Sequence, residues 1–242
     1  MAAQAECQQN RDRRTLSAAG AGESAPPPPQ GNPTTMSIRP GHQELARPLP
    51  RRLRVARLVG EVLSPPPILA VLALVIAWDS SPTPAMAILW GGITAVSASV
   101  LPYALILRGV RRGRLSDRNI SLRQQRIKFA AVAIASILTG LAVLAAFDAP
   151  AEMVALQASI AVGVACGWVI TLWWKISVHA AIAAGAATVL LLVFGLALLV
   201  VWPLVAVIAW SRVQVGDHTP AQVLAGIALG IVVNATIFPL LR

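Results

Sequence analysis

Residues 129–147 read FAAVAIASILTGLAVLAAF, and residues 152–172 read EMVALQASIAVGVACGWVITL. A helix of about 20 apolar residues is long enough to cross the roughly 30 Å of hydrocarbon in a bilayer. Both stretches have that length, and Glu152 at the start of the second is their only charged residue. The two stretches and the short link between them predict consecutive membrane-spanning helices.

Further apolar runs of similar length lie on both sides of this pair, at residues 58–78, 84–107 and 221–241. The run from His179 to Trp210 is too long for one span, and we divide it near Val200–Pro203. Proline at 65–67 and at 203 sits where a helix would kink or end. We therefore predict an all-α, polytopic transmembrane bundle of six to seven spans.

The composition excludes a soluble domain. Of the 242 residues, 56% are hydrophobic and 12% are charged, whereas soluble domains carry roughly 25% charged residues. The net charge of +10 comes from arginine clusters that flank apolar runs without interleaved aromatic residues, so we expect no nucleic-acid partner. The two cysteines, Cys7 and Cys166, predict neither a disulfide framework nor a cysteine metal site.

The chain divides into two parts. Residues 1–50 are rich in proline and arginine and lack an apolar period, so we expect a disordered cytoplasmic tail. The tail is too long and too polar to be a cleaved signal. Residues 51–242 form the transmembrane domain, which begins with a short helix at headgroup level over residues 51–64.

The loops predict the orientation in the cell membrane. The links at residues 79–84 and 147–152 contain acidic residues but no lysine or arginine, whereas residues 108–128 are strongly basic. The positive-inside rule places the basic loop in the cytoplasm. Alternation then brings residues 173–178 and 211–220 to the same face, so we expect a site there.

This face collects the polar residues that are costly beside lipid. His179 and His218 lie at the cytoplasmic ends of predicted spans, and either one alone is equally well explained as an interfacial residue. Lys175 is a further cation here, although snorkelling to headgroups explains it more simply. The other candidates are Ser177, Arg212, Arg118, Arg123 and Arg126.

The segment Ser211-Arg212, five residues, then His218-Thr219-Pro220, resembles the third signature of the type 2 phosphatidic acid phosphatase family. Ile176-Ser177-Val178-His179 is similar to the family's second signature, Pro-Ser-Gly-His. The two segments come in the family's order, about 40 residues apart. The family shares its helical core with vanadium haloperoxidases, so the resemblance implies a phosphatase/haloperoxidase-like core.

The resemblance also implies a mechanism without metal or cofactor. His218 would be the nucleophile and form a phosphohistidine, and His179 would protonate the leaving lipid alkoxide and then activate water. Arg212 and Ser177 would bind phosphate oxygens. Arg126 stands in for the arginine of the first signature, and Arg123 or Arg118 for its lysine.

The chain departs from the family at three points. A clear first signature is missing, Val178 replaces the glycine before the second-signature histidine, and Gln222 replaces the aspartate after His218. Gln222 would orient the His218 imidazole through a hydrogen bond but would bring no charge to it. We therefore expect slower phosphotransfer, not its loss.

These observations favour a lipid-phosphate or polyprenyl-phosphate phosphatase that works among membrane lipids. The alternative is a relative with a degenerate site that binds or translocates a phospholipid without hydrolysing it. A prenyltransferase is disfavoured because the chain has no Asp-x3-Asp magnesium motif. The abundance of alanine, proline and arginine is typical of a GC-rich bacterial genome.

Overall fold

Helices account for most of residues 50–113 and 123–242, which are the residues that this computed structural model describes. No strand occurs in those two ranges, so the all-α fold class is confirmed for them. The predicted tail, residues 1–50, lies outside the described residues apart from Pro50.

We number the helices in chain order. They are α1 (Arg51–Val62), α2 (Pro65–Ser80), α3 (Pro84–Ala95), α4 (Leu101–Arg111), α5 (Arg123–Ala146), α6 (Ala151–Thr171), α7 (Val178–Phe194), α8 (Trp202–Gln214) and α9 (Pro220–Leu241). A π-helical turn, Val96–Val100, joins α3 to α4, and a 3-10 helix, Leu196–Val201, leads into α8.

Proline marks helix starts in this chain. Pro65, Pro84 and Pro220 are the first residues of α2, α3 and α9, where the missing N–H has no intrahelical partner to lose. Pro65–Pro67 thus follow the end of one helix and begin the next, which agrees with the predicted kink or end at these prolines. The separate headgroup-level helix predicted before them corresponds to α1, and α1 meets α2 at an angle of 43°.

Within residues 50–113 and 123–242, five helical segments are long and apolar enough to cross a membrane, and the count rises to six if the bent α1–α2 pair is one span. The five segments cover residues 84–111, 129–146, 151–171, 196–214 and 220–241. The chain is therefore a multi-pass membrane protein, as predicted. The predicted span that begins at His179 corresponds to α7, which has only 17 residues and falls short of the length of the other segments.

The long run from His179 to Trp210 breaks at Gly195, not near Val200–Pro203. Gly195 has a φ of +77°, a conformation that glycine adopts without steric cost and that ends α7. Pro203 lies in the first turn of α8, where proline is tolerated. The glycine therefore decides the boundary.

Helices α7 and α9 pack against each other through small residues. A Cβ atom on Gly226 would lie 2.5 Å from the Ser177 carbonyl oxygen, and one on Gly230 would overlap the Ala181 carbonyl oxygen. The four-residue spacing of the two glycines lets the backbones of membrane helices approach closely. This contact fixes the starts of α7 and α9 relative to each other.

A buried polar contact holds α6 to α5 and to the π-helical turn. The Gln157 side-chain amide donates to Ser97 Oγ in the π-helical turn and to the Ile137 carbonyl of α5, both at 2.9 Å. Gln157 is fully buried, where each polar hydrogen needs an acceptor. The bonds join α5, α6 and the π-helical turn at one level of the bundle.

Candidate functional site

The starts of α7 and α9 are tied by a backbone hydrogen bond. The N–H of Ser177 donates to the Gln222 carbonyl at 3.1 Å, and the fully buried Ser177 caps α7 by accepting from the Ala180 N–H at 3.4 Å. His179 is the second residue of α7, and His218 directly precedes Thr219, the N-cap of α9. The helix starts therefore bring both histidines to one end of the bundle.

Arg212 is the buried cation of this site. It lies in the last turn of α8 and is only 4% exposed. Its guanidinium packs against Gly60 in α1, where any Cβ atom would overlap it. Arg212 Nη1 lies 3.3 Å from Asp217 Oδ2, and Nε donates to Ser211 Oγ at 3.2 Å. The guanidinium therefore has a fixed position.

The loop from Arg212 to His218 closes on itself. The N–H of His218 donates to the Arg212 carbonyl at 3.4 Å, and Lys175 Nζ donates to the Asp217 carbonyl at 2.6 Å. Lys175 is thus held by this loop through a hydrogen bond. The Asp217 carboxylate pairs with Arg212, and Lys175 adds a second cation through the Asp217 carbonyl, so these three residues together carry an excess of positive charge.

His179 lies among these groups. Its imidazole hydrogen-bonds the Gly60 carbonyl and interacts electrostatically with Arg212 and His218. It sits at the end of the bundle, outside the five span-length segments. Burial first, and then the positive charge of Arg212 and the His218 imidazole, lower the pKa of His179 well below its ordinary value. The free protein therefore favours the neutral imidazole.

The four central predicted residues, Ser177, His179, Arg212 and His218, thus come together at the starts of α7 and α9 and the end of α8. The three arginines assigned to the first signature are not placed. Arg118 lies outside the described residues, and Arg123 and Arg126 are described only as positions in the first turn of α5.

Gln222 has a helix-capping role in this structure. Its side-chain oxygen accepts from the Thr219 N–H at 3.1 Å, and Thr219 Oγ1 accepts from the Gln222 N–H at 3.3 Å. This reciprocal pair is a capping box, which satisfies two N–H groups at the start of a helix. The same oxygen was predicted to orient His218, and that role stays a prediction.

Two contacts that position the candidate site residues were not predicted from the sequence. Gly60 leaves the space that the Arg212 guanidinium fills, and its carbonyl bonds His179. Its signal is a lone glycine within a helical pattern, which often marks a close packing contact. Asp217 pairs with Arg212, which lies five residues earlier. The pair forms because the loop between them folds back on itself, and the spacing in the sequence does not reveal that.

The described part of the chain contains no group of three or more His, Cys, Asp or Glu residues that could hold a metal ion. Comparison of the chain with protein-family models, curated proteins and solved structures finds no match. The family resemblance therefore stays a hypothesis that depends on the residues of this site.

Proposed function

We propose that this protein is a membrane phosphatase that hydrolyses a lipid phosphate or polyprenyl phosphate through a phosphohistidine. The observation that carries the proposal is the meeting of His179, His218 and the buried Arg212 at one end of the bundle. Two imidazoles beside a fixed guanidinium supply a nucleophile, an acid and an anion-binding group. Most of these residues lie at the ends of membrane helices, which is the level at which lipid headgroups are found.

In the first step, an imidazole nitrogen of His218 attacks phosphorus, and the bond from phosphorus to the lipid oxygen breaks. His179 gives its proton to the departing alkoxide, so a lipid alcohol leaves. In the second step, neutral His179 takes a proton from water as the water oxygen attacks phosphorus. The bond from phosphorus to His218 then breaks, and inorganic phosphate is released.

The negative charge of a bound substrate would change the protonation state of His179. In the free protein the neutral form is favoured, because burial and Arg212 disfavour a further positive charge. A bound phosphate brings negative charge next to Arg212 and reverses that balance. His179 thus becomes an acid only when a phosphate is present. Arg212, with its planar fork, binds the phosphate oxygens.

A specific observation favours the second candidate, which is binding of a phosphorylated lipid without hydrolysis. Asp217 already pairs with Arg212, and the Gln222 oxygen is engaged in the helix cap. Both contacts weaken the groups that would stabilise the transition state. A binding protein needs the cations but not an oriented nucleophile.

Phosphate release separates the two candidates. Protein purified in detergent is incubated without added metal with phosphatidate, phosphatidylglycerol phosphate and prenyl phosphates. His218→Ala and His179→Ala are measured alongside Gly92→Ala, a matched helical variant with open space at the added Cβ. We expect release by the wild type and by Gly92→Ala, and a loss of at least about 100-fold in each histidine variant.

Acid quenching with labelled substrate tests the intermediate. A phosphoenzyme that is stable in base, labile in acid and absent from His218→Ala supports the phosphohistidine. Saturable binding of a lipid phosphate without any release by the wild type would refute the phosphatase and favour the binding protein.

A further inference from the structure

The first helix, α1, has two opposite faces with different surroundings. Its buried residues, Ala56 and Gly60, lie one turn apart and pack towards α8. Val55, Leu58 and Val62 are between 45% and 61% exposed. A helix turns about 100° per residue, so these three side chains lie on the side opposite to the buried pair. We call them the apolar stripe; no helix in the described part of the chain covers it.

Arginines occupy the first two turns of α1. Arg51, Arg54 and Arg57, which we call the arginine row, are exposed and lie three residues apart, on consecutive turns beside the apolar stripe. None of the three has an ion pair within residues 50–113 and 123–242. The four arginines of α1, Arg52 included, against its one glutamate give the helix a net charge of +3. This surface therefore carries unpaired cations next to exposed apolar side chains.

The level of α1 follows from Gly60. This residue contacts Arg212 in the last turn of α8 and bonds His179 in the first turn of α7, so it lies at the end of the bundle. The bend between α1 and α2 is 43°, so α1 continues outward from this end and does not fold back along the bundle. Arg57 and Arg54 precede Gly60 by about 4.5 and 9 Å along the axis. The headgroup layer is roughly 5–8 Å thick on each side of the hydrocarbon, so these arginines reach headgroup level.

The two parts of this surface together select the ligand. An apolar stripe beside a row of cations is typical of a helix that lies in the membrane interface. Guanidinium groups bind phosphate oxygens through paired hydrogen bonds. Phosphatidylcholine offsets its phosphate with its own quaternary ammonium, whereas phosphatidylglycerol carries a net negative charge. A free phosphate ion would leave the apolar stripe in water, so the surface favours an anionic phospholipid whose chains cover the stripe.

The buried face of α1 links this surface to the candidate site. Ala56 and Gly60 are the only buried residues of α1, and a segment with few buried contacts opens more easily than one with many. The arginine row and the apolar stripe come together only when α1 is helical and at headgroup level. A ligand that binds only this state stabilises it by mass action. Occupancy of the outer face therefore favours the position of Gly60 beside Arg212.

We propose that α1 is a binding site for an anionic phospholipid, held by the arginine row and the apolar stripe, and that the bound lipid keeps α1 packed with Gly60 against Arg212. The lipid is a ligand distinct from any substrate, so the proposal does not depend on the proposed function. It gives α1 a regulatory role at the candidate site.

Binding is measured on the full chain in detergent by native mass spectrometry, with dioleoyl phosphatidylglycerol and dioleoyl phosphatidylcholine as probes. We expect the first phosphatidylglycerol to bind about ten-fold more tightly than phosphatidylcholine, from the attraction of surface arginines to anionic lipid. Replacement of both Arg54 and Arg57 by glutamine should reduce this preference to about two-fold or less. The matched control, Arg111→Gln with Arg112→Gln, removes the same charge from exposed positions at the end of α4 and should keep the preference.

The packing of α1 is measured by hydrogen exchange in nanodiscs of phosphatidylcholine alone and of an equal mixture with phosphatidylglycerol. We expect the amides of residues 53–62 to exchange about ten-fold more slowly in the mixture, because the bound lipid lowers the population of the opened helix. The slowing should disappear in the α1 double variant and remain in the control.

Three results would each overturn the proposal. They are equal binding of the two lipids by the wild type, the same loss of preference in both double variants, and exchange in α1 that does not respond to phosphatidylglycerol. The first and third are measured on the wild type, so they do not depend on the folding of a variant. Lack of phosphate release by a protein that shows the expected lipid preference would refute the phosphatase alone.

Discussion

Replacement of Gly60 by alanine tests whether the Arg212 guanidinium is positioned by α1. The added Cβ would occupy the space now filled by that guanidinium. The side chain must then move by about 2 Å to restore ordinary contact distances. Such a movement breaks the 3.3 Å contact with Asp217 and shifts the group that we assign to phosphate binding.

The magnitude follows from opposing effects. Alanine in place of glycine strengthens a helix by up to about 1 kcal/mol. Loss of a hydrogen bond to a charged group costs about 1.5–3 kcal/mol, and because Asp217 is a third exposed, the lower half of that range applies. We expect Gly60→Ala to lower the free energy of unfolding by about 1 kcal/mol. We expect kcat/KM for phosphate release to fall by roughly 100-fold, as for a displaced electrostatic group.

The assay compares thermal unfolding in detergent with phosphate release for wild type, Gly60→Ala and Gly92→Ala. The control carries the same substitution at a helical position where the added Cβ meets no atom within 4 Å. It should be as active as the wild type and equally or more stable. If Gly60→Ala behaves like the control in both measurements, Arg212 does not pack on Gly60 and the site geometry is wrong.

Three further predictions follow from contacts in and below the site. Asp217→Asn removes the carboxylate that faces Arg212, so inhibition by inorganic phosphate should tighten by roughly three- to ten-fold; an unchanged inhibition constant would contradict that pairing. Gly230→Ala forces α7 and α9 apart and should cost about 1–3 kcal/mol of stability, measured by thermal unfolding against Gly167→Ala. The pKa of His179 is lower in the folded protein, so the unfolded chain binds more protons, and the free energy of unfolding should fall as the pH drops below about 6.5. In His179→Asn this pH dependence should flatten. An equally steep dependence of the free energy of unfolding on pH in that variant would refute the burial of a neutral imidazole.

The sequence predicts the membrane helices well because their signal is local. Length and apolar composition within one segment are enough to place α6, α9 and the apolar part of α5, Phe129–Ala146, to within one residue. The polar first turns of α5, which begins at Arg123, were not predicted as part of that helix. The boundary at Gly195 was misplaced because three apolar residues and a proline further along give an equally good break by composition. Only the positive φ of Gly195 distinguishes this boundary from the one near Val200–Pro203, and the sequence alone does not give a backbone angle.

The central site residues were also predicted, since the spacing of Ser177, His179, Arg212 and His218 follows the order of a known signature. The contacts that position them were not. Gly60 comes from a helix more than 110 residues before His179 in the chain, and its role depends on how α1 packs against α8. Tertiary contacts of this kind leave no periodic trace in the sequence.

Helix α7 has a consequence for the surrounding bilayer. Its 17 residues rise about 26 Å, which is several ångströms less than the roughly 30 Å of hydrocarbon. The glycine contact with α9 prevents α7 from sliding to correct the difference. Most of α7, Ala180 and Ala183–Val189, is buried among neighbouring helices, so the longer helices around it meet the lipid in its place. Any step in the bilayer surface then falls at the two ends of α7, and we expect the phosphate release that we propose to depend on the thickness of the membrane.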